Sequence, residues 1–255
     1  MIKGYIFDMD GVIWDGNRRI PHAADGINRV IRAGREYMFM TNNALRSRKS
    51  YVERLERHGI RTGPEHVVTA SYAAGLYIRR KSGPSCTYPM GTRELGDELE
   101  SAGHKIVDEG ADFVVVGLDK ELTYSKMDKA FRNLLAGAEL IACAPDLTYL
   151  EDGHKHIGSG AFARVLEMVS GRELIIVGKP NTIMVELAIE KMRLKPEEVL
   201  MVGDKLHTDI LAAKKAGMRA ALVLTGETDL TDVGKSNIKP DYIIKDLREL
   251  PEEGC

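Results

Sequence analysis

Two parts of the chain alternate short apolar runs with segments of helical periodicity. In the first part the order is Tyr5–Phe7, a helix near Ala23–Ala33, Tyr37–Met40, a helix near Ser47–His58, and His66–Thr69. In the second part the order is Leu174–Val177, a helix near Thr182–Met192, Val199–Val202, a helix near Asp209–Ala216, and Ala220–Leu224. Regular alternation of this kind predicts parallel strands covered by helices, and the two parts can join in one sheet.

Residues 83–172, between these two parts, carry an alternation of their own. The predicted elements are a strand at Cys86–Tyr88, a helix near Glu94–Ala102, a strand at Phe113–Val116, a helix near Lys126–Leu135 and a strand at Leu140–Cys143. This is enough chain for a separate small α/β domain. We therefore predict one α/β domain from residues 1–82 and 173–255, with residues 83–172 inserted as a second domain.

The composition of the 255-residue chain is that of a globular protein, with 44% hydrophobic and 29% charged residues. Its net charge of −2 predicts no nucleic-acid or membrane partner. Because no apolar run approaches the ~20 residues of a membrane span and the N-terminus lacks a signal-peptide pattern, we expect a cytoplasmic protein. Cys86, Cys143 and Cys255 lie far apart and predict neither a disulfide framework nor a zinc site.

An acidic pair follows the first apolar run, in the order Asp8-Met9-Asp10-Gly11. Ligands of open α/β sheets bind beyond the carboxyl ends of the strands, and a period of two places Asp8 and Asp10 on one face of an extended segment. The pair is therefore a candidate catalytic site. A polar junction between strand and turn, with Gly11 supplying unusual dihedrals, explains the same residues.

Two further apolar runs end in groups suited to phosphate. Thr41, Asn42 and Asn43 offer a hydroxyl, amides and backbone N–H groups just before a predicted helix, although an Asx turn with a helix cap explains them too. Lys179 follows the run at Leu174–Val177 and can neutralise phosphate charge. A lysine before a proline is also common in exposed loops, so Lys179 is a candidate only in combination with the other motifs.

Asp204 and Asp209 follow the apolar run Val199–Val202 and lie five positions apart. Carboxylate oxygens suit Mg²⁺, which needs only one or two protein carboxylates because it keeps several waters. Thr208 or Asp209 can instead cap the helix that follows. The spacing makes these residues a candidate metal site.

These four elements occur in the order acid pair, hydroxyl and amide cluster, lysine, and metal-type acids. With an α/β insertion between the second and third, the sequence resembles the haloacid dehalogenase superfamily. More closely, it resembles the NagD-type, 4-nitrophenylphosphatase-like branch, over essentially the whole chain. The resemblance implies a doubly wound parallel Rossmann-like sheet with an inserted smaller α/β cap domain that determines substrate choice. It also implies a Mg²⁺-dependent phosphatase that hydrolyses small phosphomonoesters through an aspartyl-phosphate.

The resemblance implies a role for each motif residue. Asp8 is the nucleophile and Asp10 the general acid and base, a role worth about 10²–10⁴-fold in rate. The implied phosphate-binding residues are Thr41, Asn42, Asn43 and Lys179. The implied metal ligands are Asp8, Asp10 through its backbone carbonyl, and Asp204. The implied supporting residues are Gly11 and Asp209.

The sequence leaves the substrate and the oligomeric state, homo-oligomers included, open. Phosphoglycolate, sugar phosphates, nucleoside monophosphates, pyridoxal phosphate and 4-nitrophenyl phosphate are all candidate substrates. A phosphomutase or phosphotransferase of the same fold would carry the same residues. A receiver-type phospho-acceptor is about half as long and has an acid at the end of its middle strand, where His66–Thr69 has none.

A few other residues attract attention without fitting this chemistry. His154 and His156 lie in a charged segment, His207 lies close to Asp204 in the chain, and Trp14 follows the acid pair; we assign none of them a role. The stretch that begins at Gly158 matches the GxGxxG/A dinucleotide-binding pattern. It does not follow a clear strand, and we therefore predict no dinucleotide site there.

Overall fold

The computed structural model describes residues 1–151 and 154–251, so that Cys255 lies outside the described residues. The strands, in chain order, are β1 Gly4–Asp8, β2 Trp14–Asp15, β3 Arg18–Arg19, β4 Glu36–Thr41, β5 Val67–Thr69, β6 Cys86–Met90, β7 Lys105–Ile106, β8 Phe113–Val116, β9 Glu139–Ala142, β10 Thr148–Glu151, β11 His154–Ile157, β12 Leu174–Ile176, β13 Val199–Gly203, β14 Arg219–Val223 and β15 Tyr242–Ile244. The α-helices are α1 Ala23–Arg32, α2 Arg48–Arg57, α3 Ala70–Ser82, α4 Arg93–Ser101, α5 Tyr124–Leu135, α6 Ser159–Ser170, α7 Ile183–Met192, α8 Leu211–Lys215 and α9 Leu230–Lys235.

The chain divides into two compact units. The first unit comprises Met1–Thr41, Tyr51–Val68 and the residues from Lys179 onward. The second unit comprises Asn42–Ser50 and Thr69–Gly178. The predicted insertion, residues 83–172, lies within the second unit, which starts earlier and ends later in the chain.

The first unit contains a six-stranded sheet in the order β15-β14-β13-β1-β4-β5. The registers of β1 with β13 and with β4, and of β14 with β13 and with β15, are parallel. Strands that follow β1 early in the chain lie on one side of it and the late strands lie on the other. This is the predicted α/β class with a doubly wound parallel sheet, and it is confirmed.

Side chains of both sheet faces in the first unit are buried. Phe7, Phe39 and Val202 belong to a hydrophobic cluster that includes Ile27 of α1 and Leu55 of α2. The alternate positions point the other way and are buried as well: Ile6, Met38, Met201, and Ala188 of α7, which packs against β4. Near-continuous apolar strands are the expected result when helices cover both faces of a parallel sheet.

The second unit contains a five-stranded sheet in the order β12-β9-β8-β6-β7, with every strand pair parallel. Its core joins Val114 and Leu140 of the sheet to Ala130, Leu134 and Leu166 of the helices α5 and α6. A short antiparallel hairpin, β10–β11, precedes α6. The second unit is thus a small α/β fold in its own right.

The strand β12 corrects one expectation. We predicted that the run at Leu174–Val177 opens the second part of the first sheet, but Leu174–Ile176 pairs with Leu140–Ala142 of β9 in the five-stranded sheet. Three apolar residues are enough to indicate a strand. They do not indicate which of two sheets receives it, because the pairing partner lies more than thirty residues away in the chain.

The glycine-rich start of α6 has a packing explanation. A Cβ at Gly158 or Gly160 would overlap with the backbone carbonyl groups of Asp146 and Pro145, so the helix start approaches that segment closely. The strand before α6 is β11, which pairs antiparallel with β10, whereas the strand after α6 pairs with β9. The unit is therefore not the βαβ arrangement that a dinucleotide pattern requires.

The two cysteines that the structure describes are unpaired thiols. Cys143 is fully buried, and burial raises the pKa of its thiol to about 12, while Cys86 is partly exposed. Within the described ranges, no helix combines the length and the apolar character needed to cross a lipid bilayer.

Candidate active site

The candidate site lies where the chain order of the first sheet reverses. β1 has β13 on one side and β4 on the other, all parallel, so their carboxyl ends lie at the same edge. Asp8 is the last residue of β1, Thr41 is the last residue of β4, and Asp204 follows β13 directly. Ligands of doubly wound sheets bind at such a point.

Lys179 is the centre of a buried ionic group. Its Nζ donates to Asp8 Oδ1 at 2.5 Å and to Asp209 Oδ1 at 2.6 Å, and its side chain is 3% exposed. The peptide bond that follows it, Lys179–Pro180, is cis. The exposed-loop interpretation of this lysine therefore does not hold.

Asp209 enters the site from a π-helical turn at Leu206–Ile210, directly before α8. Its second carboxylate oxygen accepts a hydrogen bond from the backbone N–H of Lys205 at 3.1 Å. Its Cβ and carboxylate lie against Gly203, where an added Cβ would overlap with them. Single π-helical turns often occur at functional sites, and here the turn holds Asp209 against Lys179.

Asp204 is 2% exposed and is held by the loop after β14. Its Oδ2 accepts a hydrogen bond from the backbone N–H of Glu227 at 2.8 Å. Its Oδ1 is buried and has no hydrogen-bond partner among the described residues. A buried carboxylate oxygen without a partner is costly unless a ligand satisfies it.

Burial and charge together shift the acidity of this group. Burial raises the pKa of Asp8 well above its ordinary value and, although Lys179 opposes the shift, Asp209 and Asp204 add to it. Burial raises the pKa of Asp204 to about 7, with the charge of Asp209 as the second cause. Burial alone would lower the pKa of Lys179, but the charges of Asp209 and Asp8 outweigh it and raise that pKa above its ordinary value.

Asp10 lies outside this ionic group. Its Oδ1 accepts a hydrogen bond from Trp14 Nε1 at 2.8 Å. Gly11, next to it, has a φ of +81°, and a Cβ there would overlap with the Asp204 carboxylate. The glycine is therefore required twice, for its backbone conformation and for space.

Asn42 and Asn43 begin the second unit, directly after the buried Thr41. Asn43 Oδ1 accepts a hydrogen bond from the backbone N–H of Leu45 at 3.0 Å. This is the Asx-type turn that the sequence also allowed. Such a turn fixes the local backbone and is compatible with a phosphate-binding role.

The histidines noted in the sequence are exposed. His207 lies in the π-helical turn with its side chain in solvent, and His154 and His156 lie on β11 of the second unit. The ring of His156 stacks on Tyr149 of β10 with the centroids 5.3 Å apart. None of these three contributes to the ionic group around Lys179.

Comparison with known proteins places this geometry in a family. The family described as Haloacid dehalogenase-like hydrolase matches residues 5–105, and a HAD-hydrolase-like family matches residues 176–250. The acid sugar phosphatase of Staphylococcus aureus (strain USA300) is 34% identical over 97% of this chain and 96% of its own length. The chain belongs to the haloacid dehalogenase-like hydrolases.

Solved structures of other family members agree over nearly the full length. The p-nitrophenyl phosphatase from Archaeoglobus fulgidus is 32% identical with a TM-score of 0.92, covering 97% of each chain. NagD from E. coli K-12 is 31% identical with a TM-score of 0.90, covering 98% of each chain. The resemblance to the NagD-type, 4-nitrophenylphosphatase-like branch is thus confirmed.

The acidic residues of this haloacid dehalogenase-like site suit a divalent cation. Ligand atoms of Asp8, Asp204 and Asp209 lie within 4.8 Å of one another, and all three residues are buried. When all three carboxyl groups are ionised, the single ammonium leaves two negative charges in a buried space, which one divalent cation would balance. The unpartnered Oδ1 of Asp204 is an available ligand atom. The residues present therefore fit the metal that the family resemblance implies.

One loop that supports the candidate site was missed by the sequence analysis. Thr225 Oγ1 donates to the carbonyl of Gly11 at 2.8 Å, and the backbone of Glu227 and Thr228 bonds to Asp204. A Cβ at Gly226 would overlap with the Asp204 carboxylate. The available signal was a Thr-Gly pair after a predicted strand, which sequence reasoning reads as an ordinary turn.

Proposed function

We propose that the protein hydrolyses small phosphomonoesters in two steps, with the phosphoryl group carried transiently on the Asp8 carboxylate. The observation that carries the proposal is the buried group at the sheet edge, in which Lys179 lies between Asp8 and Asp209 beside Asp204. A site with paired carboxylates and a fixed cation provides a nucleophile and the charge to receive a phosphate. The phosphatase names of the relatives support the same reaction class.

In the first step an Asp8 oxygen forms a bond to phosphorus while the bond from phosphorus to the leaving alcohol breaks. Asp10 donates its proton to the leaving oxygen. Lys179, held 2.5 Å from Asp8, neutralises charge on the transferred group. Thr41, Asn42 and Asn43 are proposed to donate hydrogen bonds to the phosphoryl oxygens.

In the second step a water oxygen bonds to phosphorus and Asp10 takes a proton from that water. The bond from phosphorus to the Asp8 oxygen then breaks, so inorganic phosphate leaves and the Asp8 carboxylate is restored. When bound by Asp8, Asp204 and the Asp10 backbone carbonyl, Mg²⁺ would offset repulsion between carboxylate and phosphate of about 4 kcal/mol per charge pair at 4 Å. Asp209 orients Lys179 through the hydrogen bond at 2.6 Å.

We propose that the second unit is the cap domain that the resemblance implies and that it determines substrate choice. The likeness to an acid sugar phosphatase makes sugar phosphates the first substrates to test, with nucleoside monophosphates and phosphoglycolate as comparisons. A homo-oligomer is compatible with the proposal and is not required by it, because the whole ionic group comes from one chain.

The test of the proposal follows both products of one reaction. With 4-nitrophenyl phosphate and Mg²⁺, we expect one inorganic phosphate for each nitrophenol, and neither product when the metal is chelated. A phosphotransferase of this fold would release more nitrophenol than phosphate when glycerol is present as an acceptor. Absence of both products with every phosphomonoester would contradict the proposal.

The exchange Asp10→Asn should separate the two steps. Without the general base, hydrolysis of the phosphorylated enzyme should slow by about 10²–10⁴-fold. Because nitrophenol is a good leaving group, the first step should still proceed, giving a burst of about one nitrophenol per protein followed by a slow phase. Stopped-flow absorbance measures the burst. Unchanged steady turnover would remove Asp10 from the mechanism.

A further inference from the structure

Trp14 is the single tryptophan of the chain and is fully buried in the first unit. Its indole Nε1–H donates to Asp10 Oδ1 at 2.8 Å. An indole N–H can only donate, so it bonds to a carboxyl oxygen that carries no proton and thereby fixes the orientation of the group. The general acid and base of the proposed mechanism therefore has a dedicated side-chain donor.

The backbone between the two residues forms a closed loop that supports this bond. The N–H of Gly11 donates to the carbonyl of Trp14 at 2.7 Å, and the N–H of Ile13 donates to the carbonyl of Met9 at 2.8 Å. Gly11 adopts its positive φ within the same loop. The chain consequently returns to Asp10 four residues later, with little freedom for the indole to lie elsewhere.

Three side chains of the first unit fix the indole ring. Tyr51 stacks on it with an interplanar angle of 9°, His58 meets it edge-on at 5.1 Å, and the Arg54 guanidinium lies 3.9 Å from the ring centroid. A fixed ring means a fixed N–H direction, because the indole donor has no rotation of its own. Rigid packing around the ring therefore also restricts the orientation of the Asp10 carboxylate.

The geometry points to Trp14 as a positioning residue for Asp10. By engaging Oδ1, it holds the carboxylate in one orientation and leaves Oδ2 as the oxygen that exchanges protons with the leaving group and with water. This inference rests on the proposed phosphatase function. Trp14 itself touches no reacting atom in this assignment, and its effect is exerted entirely through Asp10.

A purely structural tryptophan would behave differently from a positioning one. Loss of packing alone lowers stability and affects all substrates alike. Loss of an oriented general acid affects substrates according to their leaving group, because alkoxides need a proton and nitrophenolate does not. The value of kcat/KM reports the steps through transfer to Asp8, so its dependence on the leaving group distinguishes the two roles.

The sharpest test removes one donor and keeps the ring. Because the chain has one tryptophan, expression with benzothienylalanine, in which sulfur replaces the indole N–H, changes Trp14 alone. We expect kcat/KM for a sugar phosphate to fall about tenfold, a part of the roughly 10²–10⁴-fold that a general acid supplies. For 4-nitrophenyl phosphate we expect a change of less than about twofold. Equal losses for both substrates, or no loss for either, would overturn the inference.

A double-mutant cycle gives an independent readout. In an Asp10→Asn background the same replacement should cost less than about twofold for the sugar phosphate, because the group on which it acts has gone. A full tenfold loss in that background would show that Trp14 does not work through Asp10. The matched control is Tyr37→Phe, which removes a hydroxyl bonded to Thr62 from another aromatic ring of the first unit, and it should keep the leaving-group dependence of the parent.

These measurements also separate the inference from the function on which it rests. If the parent protein hydrolyses no phosphomonoester, both fall together. If the parent is active and the replacement leaves the ratio of kcat/KM values between the two substrates unchanged, the positioning role of Trp14 is wrong and the proposed phosphatase function still stands. The variant Trp14→Phe repeats the test in genetically encoded form where incorporation of the analogue is incomplete.

Discussion

An Asp8→Asn variant should release phosphate from 4-nitrophenyl phosphate at least about ten-thousandfold more slowly than the parent, as expected when a nucleophile is removed. The same variant should be more stable than the parent in metal-free buffer. Asp8, Asp204 and Asp209 present three buried carboxylates to the single ammonium of Lys179, and the exchange removes one of these charges at nearly constant volume.

Calorimetry and a phosphate assay on the same samples check the two halves of this prediction. The thermal midpoint should rise by roughly 2–4 °C for each kcal/mol of repulsion removed. Asp25→Asn is the matched control, because Asp25 lies on α1 with its side chain 77% exposed, and it should change neither quantity. Turnover of Asp8→Asn at the parent rate would eliminate the covalent mechanism.

The ends of the central strands could be predicted because their signals are local. An apolar run followed by Asp8, Thr41 or Asp204 indicates both a strand and candidate chemistry at its end, and parallel strands bring such ends to one edge. The order of the motifs added the family. The pairing between distant segments could not be predicted, because local patterns carry no information about it.

The helix α3 shows how a buried element escapes a periodicity search. Its buried residues include Ala70, Ala73, Ala74 and Gly75, small side chains whose hydrophobic contrast with their neighbours is weak. The hairpin β10–β11 was missed for a different reason. All four residues of β11, His154–Ile157, are exposed and mostly polar, so they show no apolar run. Both segments belong to the second unit, where substrate choice is proposed to reside.

The supports of the site were hidden from the sequence for a different reason. The helix predicted near Asp209–Ala216 is preceded by the π-helical turn at Leu206–Ile210 that directs Asp209 inward. Periodicity does not reveal such a turn, whose hydrogen bonds span one residue more than those of an α-helix. The bond from Trp14 to Asp10 depends on how the loop at Gly11 closes, which composition does not reveal. Residues that act on substrate have recognisable chemistry, whereas those that hold them can be almost any type.

Mg²⁺ should stabilise the folded protein, and Asp204→Asn should remove most of that effect. A ligand at 100 times its Kd that binds only the folded state contributes about 2.7 kcal/mol, which for a chain of this size is a rise of roughly 5–10 °C in the thermal midpoint. Asp204 brings a buried Oδ1 without a partner among the described residues, while its Oδ2 is already held by Glu227 N–H. An amide in its place supplies neither the charge nor the same ligand pair, so we expect less than about a third of the parent shift.

Thermal unfolding with and without Mg²⁺ measures this independently of turnover, and Asp25→Asn should retain the full shift. An equal shift in Asp204→Asn and the parent would show that the cation binds elsewhere. Protons would then balance the buried charge of Asp8, Asp204 and Asp209, which agrees with the raised pKa values of Asp8 and Asp204.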